Sequence, residues 1–312
     1  MIEIVEVGPR DGLQNAPRTF APALRAELCM RAAASGIRRV EAVSFVHPDR
    51  VPQMAGAEAV VCGIDIETPI LPIGLVLNER GLDRLLDIGM HEARIVVAAS
   101  DAFSRRNVGT STEDALTSAL RMISRVRELG VRAGGVIATA FGCPFSGDVP
   151  LRDTLAVAEK LAEAGADELV FADTIGVAAP REIRDVLMGA RPLGLPVGLH
   201  LHNTRNTGYA NAVAAVEGGA TSLDAAIGGL GGCPFAPGAT GNVATEDLVY
   251  LLEREGITTG VNLDSLVETA QWLHEQTGLT LPGQVHAVPR FTGSPAAGRS
   301  SDPAVAGQAP CP

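Results

Sequence analysis

Apolar and polar positions along the chain form two alternating patterns. Short, nearly continuous apolar runs rich in β-branched residues predict eight strands, at residues 2–7, 38–44, 70–76, 94–99, 131–140, 168–173, 196–202 and 221–227. Longer stretches between them have apolar residues at three- and four-residue spacing and predict amphipathic helices, representative ones covering residues 22–35, 79–90, 112–129, 151–164, 180–190 and 207–218. The chain is therefore predicted to be a repeat of strand–helix units.

The number of these units indicates the architecture. Strands that are apolar on both faces are typical of a parallel sheet covered on both sides. Eight strand–helix units in about 250 residues fit a (β/α)8 barrel of the TIM type. An open doubly wound sheet, which more often has five or six strands, is the alternative.

The sequence after the eighth strand divides into two parts. Residues 245–255 and 264–276 predict two extra C-terminal helices. Residues 290–312 are rich in glycine, proline, alanine and serine, a composition that cannot form a core. We expect a barrel domain with C-terminal helices over residues 1–289 and a disordered tail over residues 290–312.

Composition excludes several classes of partner. The 312 residues are 46% hydrophobic and carry a formal net charge of -11, with no Lys/Arg-rich run. Such a charge repels nucleic acid and anionic membranes, and no apolar stretch approaches the ~20 residues that span a bilayer. We expect a soluble, cytoplasmic protein. The five cysteines are scattered without CxxC spacing, which predicts reduced thiols, including an exposed one at Cys311.

Ionisable and polar residues interrupt the apolar runs near the ends of four predicted strands. In a barrel of this type the catalytic groups come from the C-terminal ends of strands and the loops that follow. A buried charge there costs several kcal/mol unless it is paired or bound to a metal. The candidates for a functional role are Arg10, Asp11, Glu41, Ser44, Asp173, His200 and His202.

The two histidines of the seventh strand predict a metal site. His200 and His202 are two residues apart, so both imidazoles project from the same face of the strand. Asp11, at the end of the first strand, can reach the same point in a closed barrel. The alternative is a pair of core histidines satisfied by backbone groups. Imidazole and carboxylate ligands without a thiolate favour a divalent ion such as Mg²⁺ or Mn²⁺ over structural zinc.

A glycine-rich loop follows the eighth strand, over residues 226–242. It predicts a mobile lid; a phosphate-binding loop and an ordinary flexible connection are the alternatives, although the spacing is not the dinucleotide fingerprint. Cys233 lies within it. A cysteine above a metal can transfer a proton when a lid closes, and an inert small hydrophobe is the alternative.

Several segments resemble the 3-hydroxy-3-methylglutaryl-CoA (HMG-CoA) lyase family over about residues 2–280. They are VEVGPRDGLQN (5–15), VEAVSFVHPDRVPQM (40–54), ADTIG (172–176), GLGGCPFAPGATGN (229–242) and ATEDLVYLLEREGITTGVNLD (244–264). RDGLQ and GGLGGCP are highly specific, and RDGLQ is shared with a wider group of metal-dependent barrel lyases and condensing enzymes. The resemblance implies a TIM-barrel carbon–carbon lyase that splits HMG-CoA into acetyl-CoA and acetoacetate.

The resemblance also implies roles for individual residues. The metal ligands would be Asp11, His200, His202 and Asn242. Arg10 would neutralise the thioester enolate, Cys233 would act in proton transfer, and the base would be His200, Asp173 or Glu41.

Further residues would contact the substrate. Gln14, Ser44 and Asn107 would position the substrate or CoA, with Arg105 and Arg106 as partners of the CoA phosphates. Solvated loop residues are the alternative for this group. A homo-oligomer, a dimer or higher, is expected by analogy.

One segment departs from the family pattern. Where these lyases read HxHDTxGxA, residues 200–210 read HLHNTRNTGYA, so that Asn203 replaces an aspartate and Arg205 is added. Arg205 would then contact the substrate, and a related 3-hydroxy-3-methylacyl-CoA such as citramalyl-CoA is an alternative substrate. A condensing enzyme of the isopropylmalate synthase type is a more remote hypothesis, because such enzymes usually carry a long C-terminal regulatory region. A barrel that only binds a ligand is a third.

Overall fold

The computed structural model describes residues 1–232 and 240–291, and eight parallel strands in it close a barrel. Around the barrel each strand pairs with its neighbours in chain order, and the eighth pairs with the first. The strands are β1 (Glu3–Glu6), β2 (Arg39–Ser44), β3 (Leu71–Val76), β4 (Glu92–Ala98), β5 (Arg132–Ala138), β6 (Glu168–Asp173), β7 (Val197–Leu201) and β8 (Ser222–Ala225). The predicted TIM barrel is confirmed, and the open sheet is excluded.

Helices surround the barrel in the described ranges. They are α1 (Pro22–Ala34), α2 (Ala57–Cys62), α3 (Glu79–Asp87), α4 (Asp101–Asn107), α5 (Thr112–Glu128), α6 (Leu151–Glu163), α7 (Pro180–Ala190), α8 (Gly208–Gly218), α9 (Thr245–Arg254) and α10 (Leu263–Thr277). Helices α9 and α10 confirm the predicted C-terminal pair. Neither α2 nor α4 was expected, nor was the short hairpin formed by Gly142–Cys143 and Gly147–Asp148. Most of the predicted tail lies outside the described residues.

The burial pattern explains the two periodicities in the sequence. All six residues of β6 are buried, because side chains on one face fill the barrel and those on the other meet the helices. Helix α5 buries Ala119, Met122, Ile123 and Val126, a stripe at three- and four-residue spacing. No helix in the described ranges is long and apolar enough to cross a membrane.

The N-terminal end of the barrel contains a buried ion-pair cluster. Arg39, the first residue of β2, contacts Glu92 and Glu168, the first residues of β4 and β6. Arg39 is 6% exposed and both glutamates are almost fully buried. Because strand starts lie at the end of a TIM barrel that does not carry the active site, this cluster acts in stability.

At the opposite end, the chain after β1 turns sharply. Residues Gly8–Gly12 form a single π-helical turn, in which the backbone N–H groups of residues 10, 11 and 12 all point at the carbonyl of Val7. This turn directs Arg10 and Asp11 toward the C-terminal ends of the neighbouring strands.

Candidate active site

Three side chains that could hold a metal ion converge at the C-terminal end of the barrel. Among the described residues, Asp11, His200 and His202 offer ligand atoms that all lie within 4.8 Å of one another. The Oδ2 atom of Asp11 is 3.8 Å from Nε2 of His200 and 3.6 Å from Nε2 of His202. All three side chains are largely buried. The spacing of two residues, His200 within β7 and His202 directly after it, thus places both imidazoles beside the carboxylate from the turn after β1.

The contact between the two imidazoles shows that they share one point in space. Their Nε2 atoms lie 3.1 Å apart. Two ring nitrogens that face each other at this distance need a shared proton or a common cation between them. The cluster therefore has the geometry of a cation site.

Asn242, the fourth predicted ligand, lies beside this cluster. Its amide Nδ2 donates to Oδ2 of Asp11 at 2.8 Å and to the carbonyl of Leu230 at 2.9 Å. Within the part of the chain that the structure describes, its Oδ1 atom is buried without a hydrogen-bond partner. An unpaired buried acceptor costs about 1–3 kcal/mol, and a cation ligated by this oxygen would remove that cost. Two imidazoles, a carboxylate and an amide oxygen fit a divalent ion such as Mg²⁺ or Mn²⁺.

His200 is held in place by a second carboxylate. Its Nδ1 atom lies 3.1 Å from Oδ2 of Asp224 in β8. Burial alone would raise the pKa of Asp224, but Arg94 and His200 outweigh it and hold that pKa below its ordinary range. An ionised Asp224 accepts a hydrogen bond from the Nδ1–H group, which leaves the Nε2 lone pair of His200 free to bind a metal.

Arg10 lies beside the predicted metal ligands. Its Nη1 group donates to Oδ1 of Asp11 at 2.6 Å, and its Nε and Nη2 groups contact Oε1 of Glu41. The guanidinium side chain is 9% exposed. Burial would lower the pKa of Arg10, but Glu41 and Asp11 outweigh it and raise that pKa, so the cation is permanent. The site therefore holds a fixed positive charge beside the point where the metal ligands converge.

Two charged residues that the sequence predictions missed close this network. Arg94 in β4 donates two hydrogen bonds to Asp224, at 2.7 and 2.9 Å, and one to Oε2 of Glu41 at 3.1 Å. Arg94 and Asp224 each interrupt an apolar strand, as Glu41 does. A charged residue within an apolar run was therefore the signal that could have identified them. Their pairing across the barrel required the closed structure.

A cavity of about 1390 Å³ opens onto this cluster. Arg10, Asp11, His200 and His202 line it, and Glu41 lies at its wall. Gln14 and Asn107, predicted to position the substrate, also line it. The cavity therefore brings most of the predicted site residues together in one volume.

Other predicted residues lie away from the cavity lining. Asp173 accepts hydrogen bonds from the N–H groups of Val177 and Ala178, at 2.8 and 3.1 Å, and burial raises its pKa despite them. The Ser44 hydroxyl is buried and has no hydrogen-bond partner among residues 1–232 and 240–291. Arg205 donates to the carbonyl groups of residues 175 and 176, at 2.9 and 3.0 Å. Cys233 lies outside the described residues, as do residues 234–239 of the predicted lid.

The two predicted CoA-binding arginines have local partners. Arg105 pairs with Asp101 at 2.7 Å within α4, and the Arg106 guanidinium lies 4.1 Å from the centre of the Phe145 ring. The exposed cations on the cavity lining are instead Arg50 and Arg80.

The family model described as HMGL-like matches residues 1–273. The chain belongs to the HMGL-like family. It is 43% identical over 298 residues to the (R)-citramalyl-CoA lyase of Chloroflexus aurantiacus, covering 91% of this chain and 93% of that one. It is 39% identical over 285 residues to the hydroxymethylglutaryl-CoA lyase YngG of Bacillus subtilis, covering 91% and 95%.

Solved structures of HMGL-like proteins share the fold. An HMG-CoA lyase from Acinetobacter baumannii, in complex with coenzyme A and 3-methylmalate, superposes with a TM-score of 0.89 at 34% identity, covering 94% of this chain and 96% of that one. The resemblance seen in the sequence is confirmed, and with it the assignment to a family of carbon–carbon lyases.

Proposed function

We propose that this enzyme cleaves a 3-hydroxyacyl-CoA between C2 and C3, and that HMG-CoA is its substrate, giving acetyl-CoA and acetoacetate. The observation that carries this proposal is the convergence of Asp11, His200 and His202 beside the buried cation Arg10. Cleavage of this bond needs two things: loss of the proton from the tertiary hydroxyl, and stabilisation of the thioester enolate that leaves. The two halves of the site match these needs.

The ligand set supports the first half of the reaction. Asp11, His200, His202 and Asn242 would hold a divalent cation, and the ion when bound would polarise the substrate hydroxyl and lower its pKa. Mg²⁺ and Mn²⁺ are the proposed ions, because the donors are oxygen and imidazole nitrogen without thiolate.

Arg10 supports the second half. Its guanidinium is fixed by Asp11 and Glu41 and lines the cavity, so it need not reorganise when negative charge develops on the thioester oxygen. A preoriented donor of this kind is commonly worth about 10²–10³ in kcat. We therefore assign Arg10 to the enolate oxygen.

Three residues were predicted as candidates for the base that removes the hydroxyl proton: Glu41, His200 and Asp173. Glu41 and His200 line the cavity, whereas Asp173 accepts two backbone N–H groups of the loop that leads to α7. We propose that Glu41 lies nearest the substrate hydroxyl and that Asp173 holds this loop. His200 would act as a metal ligand, because its Nδ1–H is bonded to Asp224 and its Nε2 faces the cation site. Cys233 remains the proposed group for proton transfer to the enolate carbon.

Charge at the cavity rim supports a CoA thioester. The protein as a whole carries a formal charge of -11, yet the exposed side chains of Arg50 and Arg80 line the cavity. We propose that they meet the CoA phosphates and that Gln14 and Asn107 contact the acyl-pantetheine part of the substrate.

A second candidate substrate is citramalyl-CoA. The relative at 43% identity is named for it, and the reaction differs only in releasing pyruvate in place of acetoacetate. HMG-CoA has one more methylene group between C3 and the carboxylate than citramalyl-CoA. Because one methylene in a pocket is worth only about 10–200-fold in discrimination, both thioesters belong in the same test.

The substitutions at residues 203 and 205 bear on this choice indirectly. Asn203 accepts a hydrogen bond from the N–H of Gly208 at 3.1 Å, where α8 begins, and Arg205 binds the loop after β6. We propose that they shape the loops at the cavity mouth and so affect which acyl group enters.

The test is a panel of 3-hydroxyacyl-CoA thioesters incubated with Mg²⁺ and the purified protein, with acetyl-CoA and the oxo acid identified separately. We expect acetyl-CoA together with acetoacetate from HMG-CoA. Pyruvate formed faster from citramalyl-CoA would assign the second substrate. No cleavage of either thioester above a His202→Ala control would contradict the proposal. A cytoplasmic location and a homo-oligomeric state stay predictions.

A further inference from the structure

Arg94 is a buried arginine to which the proposed reaction gives no direct role. It is the third residue of β4 and is 1% exposed. Its guanidinium binds two carboxylates from other strands, Asp224 in β8 and Glu41 in β2. Its side chain therefore bridges three strands across the inside of the barrel.

Each of the two carboxylates that bind Arg94 also contacts a residue of the proposed active site. Asp224 contacts Nδ1 of His200, and Glu41 contacts Arg10. Arg10 and Asp11 are joined at 2.6 Å, and Asp11 lies 3.8 Å from His200. These contacts form a closed ring, in which Arg94 joins the metal side to the enolate side.

The geometry of this contact requires an arginine. The Nη1 and Nη2 groups bind the two oxygens of Asp224 at 2.7 and 2.9 Å, which fixes the plane of the carboxylate. Nη1 also reaches Glu41. A lysine ammonium carries the same charge but lacks the planar fork, so it cannot hold the Asp224 carboxylate in one plane.

We propose that Arg94 is a positioning residue of the lyase reaction, which orients the His200 ring through Asp224 and the Arg10 guanidinium through Glu41. The inference rests on the proposed metal-assisted function. The competing explanation is that Arg94 only neutralises two buried acids. The two explanations predict opposite changes in Mn²⁺ affinity when Arg94 is replaced by methionine.

Coulomb's law gives the direction of the change in Mn²⁺ affinity. A buried cation near a metal site repels the metal, so if Arg94 contributed charge alone, an Arg94→Met variant would bind Mn²⁺ more tightly and Arg94→Lys would bind it unchanged. If Arg94 positions Asp224, both variants lose the orientation of His200 and bind Mn²⁺ more weakly. Loss of a group that orients a metal-ligating histidine typically costs about 10–100-fold in metal affinity.

The test is Mn²⁺ affinity in the absence of substrate, by electron paramagnetic resonance. We expect Arg94→Lys and Arg94→Met to bind Mn²⁺ about 10-fold or more weakly than the wild type. We also expect Asp224→Asn to weaken binding much less in the Arg94→Lys protein than in the wild type, because both act through His200. Assays with the thioester that the wild-type protein cleaves should show a lower kcat in both Arg94 variants.

Arg39→Lys is the matched control. Arg39 also pairs with two buried acids, Glu92 and Glu168, but at the opposite end of the barrel. The control should bind Mn²⁺ like the wild type whatever its thermal stability. If Arg94→Lys fails to fold, the Mn²⁺ affinity of Arg94→Met alone distinguishes the two explanations.

The outcomes separate this inference from the function on which it rests. Arg94 variants that bind Mn²⁺ as tightly as the wild type, or more tightly, overturn the positioning role. A wild-type protein that binds no Mn²⁺ overturns the proposed metal site itself.

Discussion

The Nδ1 atom of His200 lies 3.1 Å from Oδ2 of Asp224, while Nε2 of the same ring lies 3.1 Å from His202. One nitrogen thus contacts a carboxylate and the other faces the predicted metal ligands. A histidine bonded in this way has a fixed tautomer and a fixed ring plane. The contact therefore connects a residue of β8 to the chemistry at the end of β7.

Asp224→Asn should weaken divalent metal binding. An asparagine keeps the size of the side chain but removes the charge that stabilises the Nδ1–H tautomer of His200. We expect Mn²⁺ affinity to fall on the order of 10–100-fold, as measured by titration calorimetry. Asp167→Asn is the control, because that carboxylate accepts the backbone N–H of Ala133 at 2.8 Å, outside the site. Equal Mn²⁺ affinity in the two variants would argue against the role of Asp224.

Arg10→Lys should reduce turnover despite keeping the charge. A lysine cannot contact Asp11 and Glu41 with the two edges of a planar group, so the cation is no longer fixed beside the enolate oxygen. We expect kcat to fall about 10²–10³-fold with a smaller change in KM, measured with whichever thioester the wild type cleaves. The exposed Arg121, which pairs with Glu79, provides the Arg→Lys control. A kcat close to that of the control would remove Arg10 from the chemistry.

The sequence predicted the barrel because its parallel strands are apolar on both faces and recur at regular intervals. It also predicted that Asp11, His200 and His202 would meet, since all three follow apolar runs and the C-terminal ends of barrel strands lie at one face. Helices α2 and α4 were missed because six or seven residues give too few turns for a periodic signal.

The Arg94–Asp224 pair could not be derived from the sequence. The two residues are 130 positions apart, and they meet only because the barrel closes and the side chains of β4 and β8 cross its interior. Periodicity identifies the buried face of a strand but not the partner that a side chain meets there. Arg105 differs, because its partner Asp101 lies four residues earlier in the same helix, a spacing that can be read from the sequence.

Gly231→Ala should damage the metal site. Gly231 has a φ of +120°, and a Cβ there would lie 2.5 Å from Nδ2 of Asn242 and 3.4 Å from Oδ2 of Asp11. The side chain would push two proposed ligands apart, so we expect weaker Mn²⁺ binding and lower activity. Gly219→Ala is the control, with a φ of +92° and no atom within 4 Å of the added Cβ.

The two glycine variants share one cost and differ in the other. Both place a Cβ at a positive φ, which costs about 1–2 kcal/mol of stability. Only Gly231→Ala should lose metal affinity. A similar loss in Gly219→Ala would show that general destabilisation, and not contact with Asn242, is responsible.

Glu6 should make stability depend on pH. Burial raises its pKa to about 8 from an ordinary value of 4.5, although Thr245, Ile227 and Gly8 donate hydrogen bonds to it. Between these two pH values the folded protein binds a proton that the unfolded chain has lost. The contribution of Glu6 to the free energy of unfolding is therefore fully present below pH 4.5. It declines as the pH rises from 4.5 through 8, by up to ~1.4 kcal/mol per pH unit.

Urea unfolding between pH 5 and pH 9 tests this. Glu6→Gln resembles the protonated acid and should flatten the decline in the free energy of unfolding over this range. Glu67→Gln, at an exposed loop position, should leave the wild-type dependence unchanged. A Glu6→Gln protein with the wild-type pH dependence would show that Glu6 is ionised in the folded state.

We propose that a divalent ion held by Asp11, His200, His202 and Asn242 assists carbon–carbon cleavage. The most direct test measures Mn²⁺ binding and acetyl-CoA release in the same sample of chelator-treated protein, with HMG-CoA or citramalyl-CoA as substrate. We expect no cleavage by the metal-free protein, recovery in proportion to bound Mn²⁺ up to one ion per chain, and neither binding nor recovery in His202→Ala. Full cleavage by the metal-free protein, or recovery in His202→Ala equal to that of the wild type, would contradict it.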